Sequence, residues 1–209
     1  MNVAISPLQI EIPVILEGSV VRLEPIRREH EQWFWDVAKN DLDDIFRWMP
    51  YVMKTPDDFR KLVDKALAEQ AQGESVVFAT VERSSGRVIG STRFMNIDRA
   101  NRRVEIGSTW ISPLWQRTAV NTQAKYLMLQ HAFEVWGCIR VELKTDGLNQ
   151  KSRNAILRLG AKEEGTLRRH LVTWTGRLRD TVYFSILDDE WPAVKARLQS
   201  KLAVREKHS

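Results

Sequence analysis

"VEIGSTWISPLWQRTAVNTQAKYLMLQHAFEVWGCIRVELK", from Val104 to Lys144, sets the architecture of this chain. It opens with strand-like alternation, passes Pro113, and enters helical spacing from about Ala119 to Trp136. Val120, Ala124, Leu127, His131 and Val135 fall on one stripe, with Gln123, Gln130 and Glu134 opposite. "IRVELKT" (139–145) then returns to a strand pattern. Strand, helix, strand in that order forces a crossover and therefore a parallel pair. The helix start carries a second signal. Gln116, Arg117, Thr118, Asn121 and Thr122 crowd it with polar groups, and no acidic residue appears before Glu134. Helix starts usually attract Asp and Glu, because their first amides are unpaired and the dipole end is positive. A carboxylate-free start suits a site that receives an anion.

Working outward, "GSVVRLEPI" (18–26) reads as a first strand, followed by two short helices over 27–40 and 41–50. Thr55 and Pro56 start another helix, as N-cap and first helical residue, which runs to Gly73. Residues 74–82 and 87–98 form a hairpin, and 102–112 a third strand. Beyond the crossover, 149–160 is a helix with Asn149 as cap and Gly160 as stop. A second hairpin over 165–187 turns near Thr175–Gly176, and a last helix covers about 189–202. The sum is an α+β chain: a mixed, mostly antiparallel sheet of about seven strands, one central parallel pair, and helices on both faces. No linker or repeat divides it, so 1–209 reads as one domain with an N-terminal extension at 1–15 and a basic tail at 203–209.

The chain has 209 residues, 43% hydrophobic and 28% charged, with a net charge of +5. The positive balance favours anionic ligands; it also suits nucleic acid, but no nucleic-acid motif accompanies pairs such as Arg102–Arg103 and Arg168–Arg169. One cysteine, Cys138, excludes an intrachain disulfide framework and fits a reducing compartment. No stretch reads as a leader peptide or a membrane span, so the expected location is the cytoplasm. The histidines at 30, 131, 170 and 208 lack metal-ligand spacing, so no metal is expected. Dinucleotide and phosphate-loop fingerprints find no match.

In this order and spacing, "LEGSVVRLEPI", the quoted crossover, "VELKTDGLNQKSRNAILRLGAKEEG" and "GRLRDTVYFSILDDEW" resemble the GNAT N-acetyltransferase superfamily, in the branch of the RimJ/RimL ribosomal-protein N-terminal acetyltransferases. The resemblance covers about Leu16 to Trp191. It implies a GNAT-like fold and acetyl-CoA as co-substrate. The family's loop Q/R-x-x-G-x-G/A falls on Gln116, Arg117, Thr118, Ala119, Val120 and Asn121, followed by Thr122. Ala119 and Asn121 stand where small glycine-like residues are usual. The next motif implies that Asn149 and Ser152 line the co-substrate, with Lys151, Arg153 and Arg117 as cations for its 3′-phosphate. Ile156 stands where many relatives carry a tyrosine acid, which leaves Ser152 as the nearby hydroxyl.

The implied reaction is direct attack of a neutral amine on the thioester. It needs a base, a donor for the oxyanion and a proton for the departing thiolate. The resemblance implies a backbone donor from a splayed strand near Gly107–Trp110. An α-amine with a pKa of about 7.7–8.0 costs roughly 3–4 kcal/mol less to deprotonate at neutral pH than a lysine. A protein N-terminus or a weakly basic small amine is thus the easier acceptor, with Glu105 as first candidate base and Asp146 behind it. The acceptor pocket is expected between the early helices and the late hairpin, with Trp33, Trp35, Trp48 and Trp174 as candidate linings. A ribosomal partner and a homodimer are further implications of the resemblance.

Overall fold

The computed structural model describes residues 7–11 and 14–206. The extension expected at 1–15 and the tail at 203–209 lie partly outside them. Eight strands form one sheet among the described residues: β1 (Leu16–Glu17), β2 (Val21–Pro25), β3 (Val76–Glu82), β4 (Val88–Asp98), β5 (Arg103–Ile111), β6 (Arg140–Asp146), β7 (Lys162–Val172) and β8 (Leu178–Leu187), in the spatial order β1-β2-β3-β4-β5-β6-β8-β7. Only β5 and β6 are parallel; the other neighbours are antiparallel. The mixed sheet with one parallel pair is as expected, with eight strands rather than seven. The added strand has two residues, too few for alternation to signal.

The helices are α1 (His30–Ala38), α2 (Leu42–Phe46), α3 (Pro56–Ala71), α4 (Val120–Gln130), α5 (Gln150–Leu159) and α6 (Trp191–Glu206). β3 explains their division between two faces. Val76 and Phe78 point into a core shared with α4–α6, while Val77, Ala79 and Val81 meet Phe34, Phe46 and Phe59 from α1–α3. A strand buried on both faces has no polar alternation, and Val76–Val81 has none. Local signals at the helix ends are met. Thr55 and Asp58 form a capping box in front of Pro56, the Asn149 side chain accepts from the Ser152 amide at 3.0 Å, and Gly160 ends α5 at φ 113°.

Two expectations about α4 need correction. The helix stops at Gln130 and continues as one π turn, His131–Val135, with the Trp136 amide donating to His131 O at 3.0 Å. His131 there packs edge-on against Trp136, the ring centroids 4.9 Å apart. Gln123, placed opposite the apolar stripe, is buried, while Val135 is 67% exposed. The reason lies in the turn between β1 and β2. Gln123 Oε1 accepts from the amides of Val20 and Val21 at 2.6 and 2.8 Å, and its Nε2 donates to Ser19 Oγ at 2.8 Å. Gly18 leaves room for this side chain, because a Cβ there would strike the Gln123 carboxamide. The same turn shortens the expected strand 18–26 to Val21–Pro25.

Gln123→Leu should lower stability by about 2–4 kcal/mol, because two backbone amides lose their acceptor at little change in volume. Urea unfolding checks this; a loss under 1 kcal/mol would mean that water replaces the carboxamide.

Candidate acetyl-CoA and acceptor site

β5 and β6 lie in register at three pairs, Arg103–Arg140, Val104–Val141 and Glu105–Glu142, and there the ladder ends. β5 continues to Ile111 held by β4, and β6 continues to Asp146 held by β8. A wedge therefore opens between Ile106–Ile111 and Leu143–Asp146, and the β6-facing edge of β5 has no ladder partner along it. Ligands of sheets with parallel strands sit at the carboxyl ends of those strands, where neighbouring connections diverge. β5 also bulges here. Ser91 pairs with Trp110 and Arg93 with Gly107, so Ser108 and Thr109 together face Thr92. Ser108 takes φ 46°, in the left-handed region that costs a non-glycine residue about 1 kcal/mol or more.

Both helices that follow the wedge strands begin at its open end. After a short turn at Pro113–Trp115, α4 starts with no acidic residue in its first turn and no side-chain cap at Ala119. α5 starts beyond Asp146, also without an acidic residue in its first turn. Gln116 joins the two: its Nε2 donates to Ile111 O at 2.8 Å, and its Oε1 accepts from Lys151 Nζ. Left-handed backbone in this loop falls on Arg117, at φ 64°, whereas Ala119 has ordinary helical angles of −70° and −19°. Alanine in a glycine-like position therefore costs no strain. Thr118 Oγ1 is engaged by its own loop, donating to Trp115 O at 2.7 Å and accepting from the Val120 amide at 3.3 Å. Val120 is core, and Asn121 and Thr122 are half-buried in the first turn. Asn121 Oδ1 is buried without a hydrogen-bond partner among the described residues. An orphan acceptor beside unpaired helix-start amides fits a ligand that brings both an anion and amide donors, as CoA does.

Glu105 ends the parallel register and is buried. Its Oε2 accepts from Asn96 Nδ2 at 2.7 Å and pairs with Lys144 Nζ at 2.9 Å. Gly107 gives it space, since a Cβ at that glycine would lie 2.9 Å from Glu105 Oε1. The carboxylate thus leans along β5 towards the bulge. Asp146 is differently placed: it accepts from the Leu148 amide at 3.0 Å and is paired with Arg177, with Arg179 at 3.8 Å. Those partners leave it a tie between β6 and β8 rather than a base. Ser152 lies in the first turn of α5, its hydroxyl unpaired among the described residues. Arg153 is spent elsewhere, on Glu163 at 3.0 Å and Gly147 O at 3.5 Å. Ile156 packs in the core. Burial pushes the Cys138 thiol up to about 12, which keeps it protonated and unreactive.

A cavity of about 620 Å³ opens between α2 and the β7–β8 loop, lined by Asp44, Trp48, Leu148, Trp174 and Arg177 among others. Trp48 carries Arg47 and Arg177 over its ring at 5.3 and 5.7 Å. Leu148, between β6 and α5, is part of the cavity lining. Of the four tryptophans considered, Trp48 and Trp174 line it; Trp33 lines a separate hollow by Gly86 and Arg87, and Trp35 packs on Phe59. Sequence reasoning missed Lys125. It is buried in α4, and its Nζ donates to Thr92 Oγ1 at 2.9 Å and Thr109 Oγ1 at 2.6 Å. Burial alone pulls its pKa down to about 7. The available signal was a lysine adjacent to Ala124, on the flank of the apolar stripe. Among the described residues no cluster of three His, Cys, Asp or Glu could hold a metal, and no helix is long and apolar enough to cross a membrane.

A sheet wedged open between its one parallel pair, with two acid-free helix starts at the opening, defines the architectural class. The model of the acetyltransferase (GNAT) domain matches residues 21–162, and the chain belongs to that family. A GCN5-related N-acetyltransferase from Brucella melitensis superposes with a TM-score of 0.87 at 35% identity, over 94% of this chain and 89% of that one. RimJ of Mycobacterium smegmatis, solved with a CoA disulfide, shares the fold at a TM-score of 0.77 and 24% identity, over 96% of this chain and 94% of that one. The protein named "Putative ribosomal N-acetyltransferase YdaF" from Bacillus subtilis (strain 168) is 34% identical over 110 residues, 53% of this chain. The chain spans 59% of that relative's length.

Lys125 makes stability depend on pH with a definite sign. The folded amine titrates near 7 and an unfolded lysine near 10.4, so between these values the unfolded chain holds a proton that the folded one lacks. Stability therefore rises with pH in that window, by about 2 kcal/mol from pH 7 to pH 9. Urea unfolding of the wild type against Lys125→Met should show this slope in the wild type and lose it in the variant; equal slopes would contradict the buried amine.

Proposed function

We propose that the protein transfers an acetyl group from acetyl-CoA to a primary amine, by direct attack within a ternary complex. The carrying observation is the wedge after Glu105 with the first turns of α4 and α5 at its open end, in a chain of this family. On this reading the amides of Thr118, Ala119, Val120, Asn121 and Thr122 hold the diphosphate, as helix starts do. Gln116 acts as scaffold, and its partner Lys151 stands with Arg117 nearest the outer phosphate. Arg153 contributes by fixing α5 through Glu163. The pantetheine arm lies in the wedge, where Asn121 Oδ1 and the free edge of β5 offer acceptor and donors, with Asn149 holding the start of α5 at its side.

At the bulge, a backbone amide near Ser108 donates to the thioester oxygen. Glu105 removes the amine's proton through a water. The nitrogen bonds to the carbonyl carbon, the carbon–sulfur bond breaks, and the departing thiolate takes a proton delivered at Ser152. The acceptor enters from the cavity of Trp48 and Trp174, which presents both charge signs and aromatic walls. That lining suits a peptide N-terminus better than a bare alkylamine; a protein acceptor fits it, and the family resemblance adds a ribosomal one. Catalysis in the cytoplasm, as a monomer or homodimer and without a metal, completes the reading.

Thiol release from acetyl-CoA with a panel of N-terminal peptides and small amines tests the proposal. Turnover is expected, fastest with peptides; CoA binding with no turnover across the panel would leave a binding protein instead. Glu105→Gln should lower kcat by about 100-fold, the usual loss for a missing base. Asn121→Asp should weaken CoA by about tenfold or more, through a negative charge placed beside the phosphates. Unchanged CoA affinity in that variant would move the phosphates away from α4.

A further inference from the structure

Lys125 is the one buried lysine among the described residues. No carboxylate pairs with it, and its only hydrogen-bond partners are the hydroxyls of Thr92 on β4 and Thr109 on β5. Those two hydroxyls lie 2.8 Å apart across the bulge, so the amine closes a triangle over it. Burying an amine costs several kcal/mol unless something is gained by it, and a methionine or leucine would fill the same space without that cost. A packing role therefore does not account for it.

The bulge itself needs holding. Ser108 stays at a positive φ only where its surroundings over-determine it. Thr109 is its neighbour, and the Thr109 hydroxyl lies 3.5 Å from Gly107 O, within the same turn of backbone. Lys125 thus grips the one irregular segment of β5 at the wedge. It does so from α4, the helix whose first turn begins five residues earlier at Val120. One side chain links the helix start to the aim of the β5 backbone.

We propose that Lys125 is a positioning residue for acetyl transfer, acting through Thr109 to hold the β5 bulge so that its amide points at the thioester oxygen. This rests on the acetyl-transfer reading above. The hydroxyl of Thr109, not its methyl, carries the effect, and Thr92 completes the clamp from β4.

The test compares Lys125→Met, Thr109→Val, Thr109→Ser and the double variant Lys125→Met/Thr109→Val, in steady-state kinetics with acetyl-CoA and a peptide that the wild type acetylates. Lys125→Met and Thr109→Val should each lower kcat by about 10–100-fold, part of the loss seen when an oxyanion donor is removed. KM for acetyl-CoA should stay within about threefold, because the donor acts on the transition state. One CoA should still bind per chain, which separates misplacement from loss of folded protein. Thr109→Ser should retain kcat, and the double variant should be no worse than the poorer single one. Wild-type kcat in Lys125→Met, or losses that multiply in the double variant, overturns the proposal while leaving acetyl transfer intact. No turnover by the wild type overturns the transfer reading and this role with it. Should Lys125→Met fail to fold by circular dichroism, the Thr109→Val and Thr109→Ser contrast decides alone: equal kcat in both overturns the proposal.

Discussion

The pairing between β5 and β6 lasts three residues, and the rest of the site depends on where it ends. Each strand has a stronger commitment on its other side, β5 to β4 through a bulged ladder and β6 to β8 through seven consecutive pairs. Beyond Glu105 each strand keeps its ladder with that other neighbour, while the pairing between the two stops. The divergence leaves backbone groups of β5 unpaired along a buried edge, which a folded protein tolerates only where water or a ligand can take them. The crossover helix α4 and the helix α5 both begin at that open end, so two positive dipole ends converge there. An anion-bearing ligand with an extended arm satisfies helix starts and strand edge at once. This constraint connects the topology to the proposed chemistry.

The polar residues inside the molecule brace the opening. Gln123 ties α4 to the turn before β2, and Gln116 ties the loop before α4 to β5 and α5. Asp146, with Arg177 and Arg179, fixes the far strand of the wedge to the late hairpin, and Arg179 reaches on to Trp48 O at 3.3 Å. Buried ionic groups of this kind add little net stability compared with apolar packing. Their contribution is geometric: they keep an unpaired pair of strands at a fixed separation. Lys125 belongs to the same set and sits closest to the bulge.

Much of this was legible in the amino-acid sequence because it is local. The caps at Thr55 and Asn149, the stop at Gly160 and the forced parallel crossover all follow from a few adjacent residues. The acid-free start of α4 was legible for the same reason, and the family resemblance directs attention to the loop around Gln116. What escaped reading depends on contacts far apart in the chain. Gln123 looked solvent-facing because its partners, Val20 and Val21, lie about a hundred residues away in sequence. Lys125 escapes sequence reading because the threonines that receive it come from two other strands. The bond of Thr118 to Trp115 O, the engagement of Arg153 by Glu163, and the bulge at Ser108 carry no periodic signal. Asp146 reads as a candidate base in sequence, and its donors, the Leu148 amide and Arg177, come from contacts that no local pattern signals. Side-chain identity indicated where chemistry belonged; partner choice, which tertiary packing sets, decided which groups were free for it.

Amide hydrogen exchange with and without CoA tests the central claim most directly, because it reads the backbone groups that the wedge leaves open. The account predicts that CoA slows exchange in two stretches together: residues 118–122 at the start of α4, and residues 106–110 along β5. Protection confined to other segments, or none at either stretch under saturating CoA, would contradict it.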